Sequence, residues 1–119
     1  MRRGIVLTEL IIAIVCIAII ASIALPRLAS IADAAAVRDE ALRIVATLDA
    51  TRGVAVRMNT VTSLALPPAG NGVTLTGAGQ TLLFGPAGLA MGASNRTLIL
   101  TKGNAVRRVV ISRLGRITY

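Results

Sequence analysis

Residues 5–25 read IVLTELIIAIVCIAIIASIAL, an apolar run of 21 residues interrupted only by Thr8, Glu9 and Ser22. As an α-helix, at about 1.5 Å per residue, the run is about 31 Å long, close to the thickness of a bilayer's hydrocarbon core. It is therefore predicted to span a membrane. Arg2 and Arg3 precede it and Arg27 follows, and that excess of cations favours a cytoplasmic N terminus with the rest of the chain exported. A cleaved secretory signal ending near Ala32 is a competing reading. Against it, the apolar stretch exceeds the roughly 7–15 residues of an ordinary signal core, and it contains a carboxylate. A plain anchor gives Glu9 no reason to exist. An ionised acid in hydrocarbon is costly unless it finds a partner, so Glu9 is the residue that most calls for a function.

The remaining composition excludes more than it selects. With 119 residues there is room for one small core. The absence of His and the single Cys16 remove His-based acid–base catalysis, His-containing triads, Cys/His metal centres and an internal disulfide. No catalytic site, metal or cofactor is expected, and the chain reads as a non-enzyme. Thirteen Lys and Arg against five Asp and Glu give a formal charge of +8, unevenly placed. The acids Glu9, Asp33, Asp39, Glu40 and Asp49 all precede residue 50, whereas Arg52, Arg57, Arg96, Lys102, Arg107, Arg108, Arg113 and Arg116 follow it unopposed. Such a surface suits a phosphate polymer, an anionic lipid or an acidic protein. For any single arginine, simple solvation of the surface is the plainer reading.

Pro26 removes an amide from the helical ladder and crowds the preceding turn, so a kink or local melting is expected there, with Ser22 helping to satisfy the freed groups. The helical pattern then resumes. Val37, Ala41, Ile44 and Leu48 recur at helical spacing, with Arg38, Asp39, Arg43 and Asp49 largely off that stripe. The helix is expected to end between 52 and 59, with Gly53 as one possible stop. Beyond it, strands are predicted at 60–66, 72–76, 80–84, 96–102, 105–112 and 115–119, separated by Gly, Pro and Asn turns. Gly103-Asn104 between two apolar runs predicts a tight hairpin. No glycine cluster fits a phosphate loop. The fold class is α+β: a long N-terminal helix, membrane-spanning in its first half, packed on a C-terminal antiparallel sheet. The segments are a 1–4 leader, a 5–25 assembly helix, a 26–59 amphipathic continuation and a 60–119 head.

The string Gly4-Ile5-Val6-Leu7-Thr8-Glu9-Leu10-Ile11, after a short basic leader and before the apolar run ending at Pro26, resembles the processing signal of type IV pilins and pseudopilins. The resemblance implies a pilin fold and cleavage by a prepilin peptidase between Gly4 and Ile5, with methylation of the new amine of Ile5. Gly4 suits that role because a residue without a side chain lets the protease reach the backbone. It further implies that Glu9 pairs with the terminal amine of a neighbouring subunit, satisfying both charges inside an apolar bundle. Ile5 stands where that family most often has Phe.

Leu82-Leu83-Phe84-Gly85-Pro86-Ala87-Gly88, the run Thr97 to Thr101, Arg107 to Ser112 and Gly115-Arg116-Ile117 resemble the H-type minor pseudopilins of type II secretion and the FimT-type minor pilins. That resemblance implies a minor structural subunit of a type IV pilus-like filament, or alternatively a pseudopilin of a type II secretion system. Its partners would be prepilin peptidase, other pilin or pseudopilin subunits, inner-membrane lipid before assembly, and DNA if it serves natural transformation. The implied location is the inner membrane, in a single pass, and then the pilus or pseudopilus. Some FimT-type proteins bind DNA through a Gly-Arg-x-Arg motif. Gly115 and Arg116 match it, whereas Thr118 replaces the second Arg. Lys102, Arg107, Arg108, Arg113 and Arg116 are the candidate DNA-binding residues, the first four expected to cluster at one end of the sheet. With few aromatics, such binding would be sequence-independent and salt-sensitive. Edge protection of the sheet is the plainer role for the same arginines.

Overall fold

The computed structural model describes residues 2–79, 81–92 and 95–119, with side chains described from residue 6 onward. Gln80, the first residue of the predicted strand 80–84, lies outside the described residues. Helix α1 runs Arg2–Met58. Its sequence holds no glycine between Gly4 and Gly53 and is dominated by Ala, Ile and Leu, so little in it opposes helix formation. The helix runs on through Pro26, so of the kink or local melting expected there, melting does not occur. One proline removes a single rung, and the rungs on both sides hold the backbone. The Ser22 hydroxyl donates to the carbonyl of Ile19, at 2.7 Å.

At Gly53 the helix also continues, and it ends in a capped turn. Asn59 adopts φ 49°, its amide donates to Val56 O at 3.3 Å, and that of Thr60 donates to Ala55 O at 3.1 Å. This pair of bonds is the Schellman arrangement, which satisfies carbonyls that the last helical turn leaves open. Arg57 in that turn complements the helix dipole.

The chain divides into two compact units, Met1–Ala32 and Asp33–Tyr119. In the first, the helix is apolar on every side and exposed on every side, from Val6 at 64% to Ile31 at 64%. Its most apolar 18-residue window has a mean hydropathy of 2.8, and the helix is long and apolar enough to cross a membrane.

In the second unit the helix buries the predicted stripe, Val37, Ala41, Ile44 and Leu48, joined by Ala55. The strands pair antiparallel in two sheets rather than one. Strands β1 (Thr62–Leu64), β3 (Leu82–Phe84) and β4 (Ala90–Met91) form the smaller sheet, in the order β1-β3-β4. Strands β2 (Thr74–Thr76), β5 (Arg96–Lys102), β6 (Ala105–Ile111) and β7 (Ile117–Thr118) form the larger, in the order β2-β5-β6-β7. Strand β4 was not predicted; two residues carry no readable alternation. Leu82 and Phe84 from one sheet and Leu98, Leu100, Val109 and Ile111 from the other close one core against the helix stripe. Gly103-Asn104 makes the predicted hairpin, with Lys102 opposite Ala105 and Gly103 at φ 53°.

Candidate functional site

Glu9 lies exposed among Val6, Leu7, Leu10, Ile11 and Ile12, all more than half exposed. A carboxylate on a sleeve of apolar side chains is a poor match for either water or lipid alone. It is chemically suited to a cation that arrives with another apolar surface. Gly4 and Ile5 have helical backbone within α1; their side chains lie outside those described.

Glu40 was not singled out from the sequence, yet among the described residues it is the buried charged one, at 3% exposure. Both its oxygens accept from Arg43 Nε, at 3.2 and 3.1 Å, and Arg43 Nη2 bonds to Oε1 as well. Arg43 Nη2 also donates to Pro68 O at 3.4 Å, and the amide of Gly70 donates to the Glu40 carboxylate. The hydrogen bonds from Arg43 hold the Glu40 carboxyl below its ordinary range, against the opposing effect of burial. The same contact raises the Arg43 guanidinium. This clasp ties the loop around Pro68 and Gly70 to the helix and has a structural role. Its only trace in the sequence is an acid–base pair three residues apart.

The candidate cations do not form one cluster. Lys102 and Arg107 lie toward the β5–β6 hairpin, and Lys102 Nζ is 3.5 Å from Asp33 Oδ1. Arg107 and Arg108 are consecutive on β6 and so project to opposite faces of the sheet, Arg108 opposite Ile99 and Arg107 opposite Leu100. Arg113 and Arg116 follow the other end of β6, which at about 3.3 Å per residue is about 20 Å from the hairpin. The expected grouping at one end fails because β6 itself separates its members.

Around Arg113 and Arg116 the backbone is tightly specified. The Ser112 amide donates to Arg116 O at 2.8 Å and the Gly115 amide donates to Ser112 O at 2.9 Å, closing the β6–β7 turn. Gly115 is at φ 76°, and a Cβ there would overlap the carbonyl oxygen of Gly88. That carbonyl accepts from Arg52 Nε at 3.1 Å. Ala90 N donates to Arg113 O at 3.1 Å, joining the turn to the smaller sheet, and Arg113 N donates to Asn95 Oδ1 at 3.1 Å. Arg52 and Val56 with Arg57 and Asp49 line a shallow concavity of about 500 Å³. Arg52, on the helix, thus meets the turn that carries Arg113 and Arg116, some 60 residues further along. No local sequence signal marks that meeting, because it depends on how the helix crosses the sheets.

Among the described residues, no group of three His, Cys, Asp or Glu side chains is placed to hold a metal. No family model matches the chain, and no curated protein matches it. Among solved structures, the chain is similar to the type IV minor pilin FimU of Pseudomonas aeruginosa, at 21% identity and a TM-score of 0.56, over 68% of this chain and 90% of that one. At that identity the similarity bears on the fold, which is the pilin fold: a long N-terminal helix packed on antiparallel sheet.

Proposed function

We propose that the protein is a minor pilin, a structural subunit of a type IV pilus-like filament. The observation that carries this reading is the contrast inside α1. Its first unit exposes apolar side chains on all sides around one carboxylate, while the head satisfies its own core in a pilin fold. Such a surface is stable in lipid and then in a bundle of like helices, two environments that a filament subunit occupies in turn. The subunit is held in the inner membrane by the 5–25 segment with its N terminus in the cytoplasm. Prepilin peptidase cuts between Gly4 and Ile5, the new amine is methylated, and Glu9 pairs with that amine on a neighbouring subunit.

Glu9→Ala is expected to leave leader cleavage intact and to abolish incorporation into filaments, read by sequencing the N terminus and by shearing and immunoblotting the surface fraction. Normal incorporation of the variant would remove the pairing argument. A mature N terminus near Asp33, rather than at Ile5, would replace the whole reading with that of an exported soluble domain. A pseudopilin of type II secretion shares the same architecture; loss of secreted proteins without loss of surface filaments in a deletion strain would favour it. Capture of DNA by Lys102, Arg107, Arg108, Arg113 and Arg116 is the finer reading of the head. Duplex retardation by the detergent-solubilised full chain, steeply weakened by salt, is its test.

A further inference from the structure

The pole of the head formed by the helix C terminus, the Gly85–Gly88 turn and the β6–β7 turn combines two features that solvation alone does not require. The first is charge: Arg113 and Arg116 on the β6–β7 turn and Arg57 on the helix are exposed, Arg52 is half-buried beside Gly88 and Gly115, and Asp49 is the acid in the concavity that Arg52 and Arg57 line. The second is projecting apolar surface. Leu114, at the tip of the β6–β7 turn between Arg113 and Gly115-Arg116, is 74% exposed, and Leu89 beside it is 45% exposed. Leu89, Arg113 and Leu114 line one groove. Gly88 lies close to Gly115 and to the side chains of Arg52 and Val56, so the β6–β7 turn adjoins the end of the helix where Arg52 and Arg57 line their concavity.

We propose that this pole is a docking surface for an anionic lipid membrane, the arginines engaging lipid phosphates while Leu114 and Leu89 enter the boundary between headgroups and acyl chains. A phosphate polymer needs the cations but gives no reason for an isolated leucine at the apex of a turn flanked by arginines, and no aromatic side chain stands at this turn to stack on bases. A lipid surface uses both, since charge attracts the pole and buried apolar area retains it. The turn is also built to keep its shape during insertion. The amides of Ser112, Leu114 and Gly115 are satisfied within the turn and that of Arg113 by Asn95, and Gly115 lies against the Gly88 carbonyl. The Arg52 guanidinium is oriented in advance by its bond to Gly88 O. The surface belongs to the head alone, so the proposal stands independently of how Glu9 and the apolar segment are used.

The test uses the full chain reconstituted through its apolar segment into phosphatidylcholine nanodiscs, so that any second membrane must be bound by the head. Flotation with added vesicles of phosphatidylcholine containing phosphatidylglycerol is expected, with none for vesicles of phosphatidylcholine alone, and added salt should weaken capture. Leu114→Ser should reduce capture by about tenfold or more, and Arg113→Gln with Arg116→Gln by a further factor of about twenty. None of these side chains is buried, so hydrogen exchange in the head should be unchanged. Capture indifferent to Leu114→Ser would overturn insertion and leave only charge attraction. Retention of duplex DNA without capture of anionic vesicles would assign the pole to nucleic acid instead. Pairing of the nanodiscs in the absence of vesicles would assign it to a second copy of this chain.

Discussion

Residues 2–32 and 33–58 belong to one helix, are both rich in Ala, Ile, Val and Leu, and have opposite fates. In the first stretch Val15, Ile17 and Ile20 are at least half exposed; in the second, Val37, Ile44 and Leu48 are at most 2% exposed. Hydrophobicity alone does not separate them. What differs is distribution around the axis: the first stretch is apolar on every face, and the second has one apolar face opposed by charge. A one-sided stripe is covered by a sheet of the same chain. An all-round apolar helix offers no such single face, and its apolar side chains lie exposed.

The contrast gives a graded set of tests. Phe84→Ala removes the largest fully buried side chain of the head and should cost about 3–5 kcal/mol of its stability, read from hydrogen exchange of β5 and β6 amides in the full chain. Gly115→Ala forces a side chain into both a left-handed backbone and the Gly88 carbonyl. It should cost about 2–3 kcal/mol and release the Arg113 turn, visible as faster exchange at Gly115 and Ala90.

Glu40→Ala leaves the Gly70 amide without its acceptor and should cost about 1–3 kcal/mol. Because the folded carboxyl titrates below its ordinary range, its stabilisation is fully present above about pH 5. That contribution is lost as the pH falls below about 4 and through the lowered value. In Glu40→Gln the part of the acid dependence that this carboxyl contributes should disappear from the unfolding profile. Ile17→Ala sits at the other extreme. It should leave head stability within about 0.5 kcal/mol while weakening membrane partition. A larger loss of head stability would mean that the two stretches of helix are not energetically separate.

The same distinction between local and distant causes explains what could be read in advance. The long helix, the stripe Val37-Ala41-Ile44-Leu48, the β5 boundaries at 96 and 102 and the Gly103-Asn104 hairpin are all encoded within a few neighbouring residues. The division into two sheets was not legible. Strands β1, β2 and β3 have three residues each, too few to state a partner. The burial of Glu40 was equally hidden, because its second partner, the amide of Gly70, comes from a loop 30 residues away. For the cations, the sequence set their number and their exclusion of acids, but β6 drew Arg107 and Arg108 apart from Arg113 and Arg116.

Periodicity and composition were enough to specify a membrane-length helix carrying one acid, an amphipathic continuation, and a cationic strand-rich head. Strand pairing, the burial of Glu40 and the approach of Arg52 to the β6–β7 turn came only with the packed fold. The reason is physical. Helix and turn preferences arise from atoms within one or two turns of chain, whereas the meeting of Arg52 with Gly88 and Gly115 requires three distant segments to pack at once, and no residue among them signals that contact alone.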